Sequence, residues 1–173
     1  AVLECLSRPL KTFPEAESGV CIPVLGHTLT ESGLTRFIRG VLHHNQYPVN
    51  KLWFCVSEAD AIAHPNAVAL FMRAVRDMGG RICLDMRETD PKMARLVWRL
   101  PVDLIRVADC GGSQPSDLER NMMLSAVVTV AHQLGAEVLV NGVASAQRID
   151  ALRDLGVDYA QGPAVARPRL LRY

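Results

Sequence analysis

Six residues stand where a strand-like apolar run ends or has just ended, and each carries a group able to hold a ligand. Asp85 closes the run Arg81 to Asp85, with Arg87 two residues on; Arg106 lies in the run Pro101 to Val107. Asn141 follows Val138 to Val140, Gln161 precedes Gly162 at the end of a further short run, and Arg167 comes six residues after Gln161. A carboxylate accepts hydrogen bonds or holds a cation, a primary amide both donates and accepts, and a guanidinium offers a planar fork to carboxylates and phosphates. In parallel α/β architectures ligands gather at the carboxyl ends of the strands, so Asp85, Arg87, Arg106, Asn141, Gln161 and Arg167 are the candidate contacts for a ligand or partner. Each also has a plainer reading. Asp85 and Asn141 suit the capping of a following loop or helix. Gln161-Gly162 suits a tight turn, and Arg167 a side chain laid along the surface.

The thiols and imidazoles add little to this set. Cys5, Cys21, Cys55, Cys83 and Cys110 show no C-x-x-C spacing, and their odd number in a chain with no secretion pattern argues against a disulfide framework. Cys21, Cys55 and Cys83 sit inside apolar runs, which predicts inert core packing. His43-His44 falls near a helix C-terminus, where cationic side chains are favourable. Trp53 and Trp98 read as core anchors at element edges.

The elements that must position these residues alternate. Strands are predicted at Val20–Leu25, Leu52–Val56, Arg81–Asp85, Pro101–Val107, Val138–Val140 and just before Gln161-Gly162. Helices are predicted from about Thr30 to His44, with Leu34, Phe37, Ile38, Val41 and Leu42 on one face, and from His64-Pro65-Asn66 to Gly79-Gly80 with Val68, Phe71, Met72 and Val75 inward. Asp90-Pro91 caps a short helix to Trp98, and Ser116 with Glu119 forms a capping box for a long helix to Leu134. Ser145 caps a last helix, with Ile149, Leu152 and Leu155 on one face and Gly156 as its left-handed end. Strand and helix in turn call for a parallel sheet with helices outside it.

The 173 residues suffice for one domain with a substantial core. A net charge of +1 with both signs interspersed gives no electrostatic case for a nucleic acid polymer. No apolar run reaches the length of a membrane span and no signal-peptide pattern opens the chain, so a cytoplasmic location is expected.

From Val20 to Pro168 several pieces of wording coincide with one family. They are Ala131-His132-Gln133-Leu134-Gly135, Val140-Asn141-Gly142-Val143-Ala144, Leu152-Arg153-Asp154-Leu155-Gly156-Val157-Asp158, and Gln161-Gly162-Pro163 running on to Arg167-Pro168. The chain resembles a bacterial EAL domain, the cyclic di-GMP phosphodiesterase family, whose corresponding pieces read A-H-x-L-G, V-V-A-E-G-V-E, L-x-x-L-G-C-D and Q-G-Y-x-x-x-R-P. The resemblance implies a TIM-barrel-like EAL fold, here incomplete with about six βα units, because the first two strands and the E-A-L signature have no counterpart. It also implies a single EAL-like domain over residues 1–173, with 1–18 as a helix or loop lead-in and 20–168 as the βα repeats.

Family chemistry uses acids at strand ends to hold two divalent metals that activate water against a phosphodiester. Several of those letters differ here. The family's E-I-T-E stands as Cys55-Val56-Ser57-Glu58, and its N-L-S as Leu25-Gly26-His27. D-D-F-G stands as Asp85-Met86-Arg87-Glu88, K-I-D as Arg106-Val107-Ala108, and the glutamates of E-G-V-E as Asn141 and Ala144. The resemblance with these departures implies no catalytic residues, no metal and no cofactor. The expected function is a catalytically inactive regulatory or protein–protein interaction module in bacterial signalling, with a protein partner or a second copy as its partner. A non-hydrolysing cyclic di-GMP receptor is the alternative, with weak binding through Arg87, Arg106, Gln161 and Arg167. An active phosphodiesterase is a remoter reading, as is another enzyme using Cys55 or Cys110 with His27.

Overall fold

Apolar periodicity changes from two to about three and a half residues along this chain and back again, and the backbone follows it. The computed structural model describes residues 20–31, 33–45, 49–86, 100–109 and 117–167. The predicted helix from Asp90 to Trp98, Ser116 of the capping box, and Arg87, Trp98, Cys5 and Cys110 lie outside the described residues. Two compact units divide the chain, one ending at Ile82 and the next beginning at Cys83.

In the first unit β1 (Val20–Val24) pairs in parallel with β2 (Leu52–Ser57), Val20 opposite Leu52 and Val24 opposite Val56. Between them run α1 (Gly26–Leu29) and α2 (Leu34–Asn45). The helix predicted from about Thr30 to His44 is α2, which starts later, at Leu34, and the short α1 before it was not predicted. Gly33 has φ 115°, a left-handed backbone that no helix continues through, so α2 starts after it. On α2, Ile38 and Leu42 are buried, Leu34 and Val41 half-buried, and Phe37 exposed. After β2 come α3 (Glu58–Ala63), which periodicity had not announced, and α4 (Pro65–Asp77) with Val68, Phe71, Met72 and Val75 buried as predicted. Phe71 meets Phe54 of β2 edge to face, ring centres 5.9 Å apart. Trp53 is buried, and the Arg81 guanidinium lies over its ring at 4.8 Å.

Cys21 corrects one expectation. Cys55 and Cys83 are buried, but Cys21 is exposed. Only Ile22 and Val24 of β1 face the core, while Cys21 and Pro23 alternate outward, so this strand is covered on one face and not two.

In the second unit β3 (Arg81–Met86, its last four residues here), β4 (Leu104–Ala108), β5 (Glu137–Asn141) and β6 (Tyr159–Gln161) pair in parallel in that order. The helices are α5 (Asp117–Gln133) and α6 (Ala146–Asp154). Ser145 caps α6 by accepting from the backbone N–H of Arg148 at 3.2 Å, and Gly156, at φ 78°, ends it, both as predicted. One sheet face carries Leu84, Met86, Ile105, Val107, Val138 and Val140, all buried, as are Leu124, Val128 and Ala131 of α5 and Leu152 of α6. The architecture is thus α/β with consecutive parallel βα units, six strands in all among the described residues, as in part of a TIM-type barrel. Among the described residues no helix is long and apolar enough to cross a membrane.

Candidate functional site

Successive residues of a strand point to opposite sides, so burying Leu84, Met86, Ile105, Val107, Val138 and Val140 sends their neighbours to the other face. Register then sets rows on that face. Asp85, Arg106, Leu139 and Tyr159 lie opposite one another, and Ala108, Asn141 and Gln161 form the next row toward the carboxyl end. Four of the six predicted contacts, Asp85, Arg106, Asn141 and Gln161, therefore share one face of one sheet. All but the exposed Gln161 are half-buried. Arg167 is exposed beyond β6, and Arg87 is outside the described residues.

Among the described residues Asp85 is held by a cross-strand partner and caps no loop. Arg106 reaches across from β4 with its whole fork: Nε donates to Oδ1 of Asp85 at 2.9 Å, and Nη2 donates to Oδ2. The side chains keep 24% and 38% of their exposure for Arg106 and Asp85, so water still screens the pair. Direct opposition on adjacent strands makes this two-bonded geometry reachable, and a guanidinium is the cation whose shape fits it.

Backbone bonds hold the strand ends together. The carbonyl of Asn141 accepts from the N–H of Asp109 at 2.6 Å, and that of Gln161 accepts from Gly142 at 2.7 Å and Val143 at 3.0 Å. Gly162 must be glycine. Its φ is 153°, and a Cβ there would come within 2.3 Å of the Val143 nitrogen. Gln161-Gly162 is a turn packed on the Gly142-Val143 backbone, as the plainer reading had it.

Just outside the row lies a cluster that sequence reasoning missed. Asp109, with 8% of its side chain exposed, receives Arg148: Nε at 3.1 and 3.2 Å from its two oxygens, Nη2 at 3.0 Å. Arg148 Nη1 donates to Oδ1 of Asn121, and Arg120 approaches Asp109 at 3.9 Å while pairing with Asp117. With Ser145 these groups line a cleft of about 410 Å³. One signal was legible. Ser145-Ala146-Gln147-Arg148 puts arginine at the third helical position, where a capping box has Glu or Gln and where the helix dipole disfavours a cation. A residue so misplaced needs an acid nearby, and Asp109 is that acid.

In the first unit, β2 ends in Ser57, whose hydroxyl donates to Oδ2 of Asp60 at 2.6 Å and accepts from the Asp60 N–H at 3.1 Å, capping α3. Glu58 lies in the first turn of that helix. Cys55, two residues earlier, is 3% exposed, with its Sγ 3.9 Å from the Trp53 carbonyl. His27 is exposed in α1 and Leu25 is 59% exposed.

Comparison with known proteins decides the family, because the EAL domain model matches residues 2–168. The chain belongs to the EAL domain family. It is 24% identical over 153 residues to cyclic di-GMP phosphodiesterase PdeB of Shewanella oneidensis, covering 88% of this chain and 18% of that relative. It thus spans less than a fifth of that relative's length. In fold it is similar to the PaMucR phosphodiesterase in its c-di-GMP complex, with TM-score 0.85, 22% identity, 96% of this chain and 74% of that one. It is also similar to the FimX EAL domain from Pseudomonas aeruginosa bound to c-di-GMP, with TM-score 0.81, 20% identity, 94% of this chain and 67% of that one. As an EAL domain, the chain presents Asp85, Arg106, Asn141 and Gln161 at the carboxyl edge of its parallel strands, the edge where ligands of such folds collect.

Proposed function

We propose that this EAL domain is a catalytically inactive module of bacterial cyclic di-GMP signalling, acting in the cytoplasm by binding a protein partner or a second copy of itself. The observation that carries the proposal is the fate of two positions where the family resemblance calls for metal-holding carboxylates. Cys55 and Met86 are core residues here, 3% and 2% exposed. A buried thiol and a buried thioether are soft, weakly polar groups, whereas magnesium and manganese require several oxygen ligands. Ala108 and Ala144 offer no donor, and Asn141 offers one neutral oxygen. A fold outlives its chemistry in this way because site residues are a small graft on the scaffold.

The alternative is a receptor that binds cyclic di-GMP without cleaving it, which Arg106, Asn141 and Gln161 on one face favour. Calorimetric titration with the dinucleotide separates the two. The interaction-module reading expects a dissociation constant weaker than micromolar, a binding free energy smaller in magnitude than roughly 8 kcal/mol. Micromolar or tighter binding would make the receptor reading the right one.

A further inference from the structure

We infer that the guanidinium of Arg106 is the permanent counter-cation of Asp85, and that it makes the carboxyl edge of β3 and β4 a metal-free edge. This rests on the reading above only in taking that edge as the family's ligand edge. Asp85 is the one acid of the D-D and K-I-D letters that this chain retains, so any divalent ion at this edge would need its carboxylate. Both of its oxygens already accept N–H donors from one rigid fork, Nε at 2.9 Å and Nη2 on the second oxygen. A magnesium or manganese ion would have to displace that fork, while the fork's own charge remained beside it. Arginine does not lose its proton in proteins, so that positive charge is constant across any working pH. A lysine at this place would be a point charge on a flexible stem, able to hold one oxygen and leave the other for a metal. The fork holds both. The row above adds no second acid, since Ala108 and Asn141 are opposite each other there. Among the described residues no group of three histidine, cysteine or acidic side chains is placed to hold a metal ion.

The inference reaches beyond loss of hydrolysis. It makes this part of the domain indifferent to divalent cations and gives Asp85 a cross-strand structural role. Manganese alone is the probe, read by electron paramagnetic resonance on the intact domain and by its thermal midpoint with and without chelator. The unaltered chain should take up no manganese at millimolar concentration, and its midpoint should not respond to manganese or chelator. Arg106→Met should release the carboxylate and raise manganese affinity by roughly tenfold or more, and Arg106→Met combined with Asp85→Asn should abolish the gain. If Arg106→Met does not fold, Arg106→Lys serves, with a smaller gain in the same direction. Stoichiometric manganese uptake by the unaltered chain that disappears in Asp85→Asn would overturn the inference, as would no gain in either Arg106 variant. Linear dinucleotide is assayed in the same samples. Manganese uptake without product sinks this inference alone, and product without uptake sinks the inactive-module reading alone.

Discussion

At the scale of single residues, two arginine–aspartate pairs differ in what they can contribute. Arg106–Asp85 is half in water, and pairs so exposed are worth no more than about 1 kcal/mol. Arg148–Asp109 is a different case, with side chains 11% and 8% exposed. Removing one partner of such a pair strands a buried charge, at a cost of about 3 kcal/mol or more. Arg148→Met should therefore lower the thermal midpoint by roughly 6–12 °C, while Asp109→Leu with Arg148→Met should cost less than the single change. A loss in the double variant equal to the sum of the losses from Asp109→Leu and Arg148→Met alone would show the pair to be uncoupled. The sequence placed Asp85 and Arg106 among the candidates but not against each other, because register between strands 21 residues apart is set by tertiary pairing. Asp109 and Arg148 escaped because their partnership spans a whole βα unit and neither lies in a family motif.

At the scale of elements, legibility followed burial. The helix Pro65–Asp77 was readable to its inward face, since Val68, Phe71, Met72 and Val75 repeat at helical spacing and all four are buried. The cap at Ser145 and the stop at Gly156 were readable because their chemistry is local. The short helix Glu58–Ala63 was not. It buries only Ala61 and is started by the Ser57–Asp60 exchange, so it has too few apolar residues to show a period. The α5 helix was read from its capping signal through to Leu134, but its inward face was not, since Leu118 and Met122 are exposed on it while Leu124 and Val128 are buried. At the end of β6 the decisive element is the turn at Gly162. Gly162→Ala would press a methyl group into the Val143 backbone, which cannot swing aside as a side chain tip would. The expected cost is on the order of 2 kcal/mol, read as a fall in urea midpoint at unchanged slope. A neutral substitution would mean that the 142–143 and 161–162 segments separate easily.

At the scale of the whole molecule, the family and the α/β order of elements were legible from spaced motifs, and the comparisons bear them out. Whether the domain acts alone was not legible, because pairing at a sheet edge depends on what covers it. Among the described residues β1 is paired with β2 and β6 with β5, each through the register given above. Cys21 and Pro23 are exposed on β1, and Pro23 lacks the N–H donor that pairing with a further strand would use, which blunts this strand for such pairing. The reading in which the domain binds a second copy of itself expects self-association, through whichever surface carries it. Light scattering after size exclusion should give a mass near twice that of the chain at tens of micromolar, and a monomer throughout would contradict it. The central claim is loss of hydrolysis, and one measurement meets it directly. Cyclic di-GMP is incubated with a stoichiometric excess of the domain and either magnesium or manganese, and the linear dinucleotide is quantified by chromatography over hours. The account predicts product no faster than in a chelator-treated control; linear product appearing well above that control with either metal would contradict it.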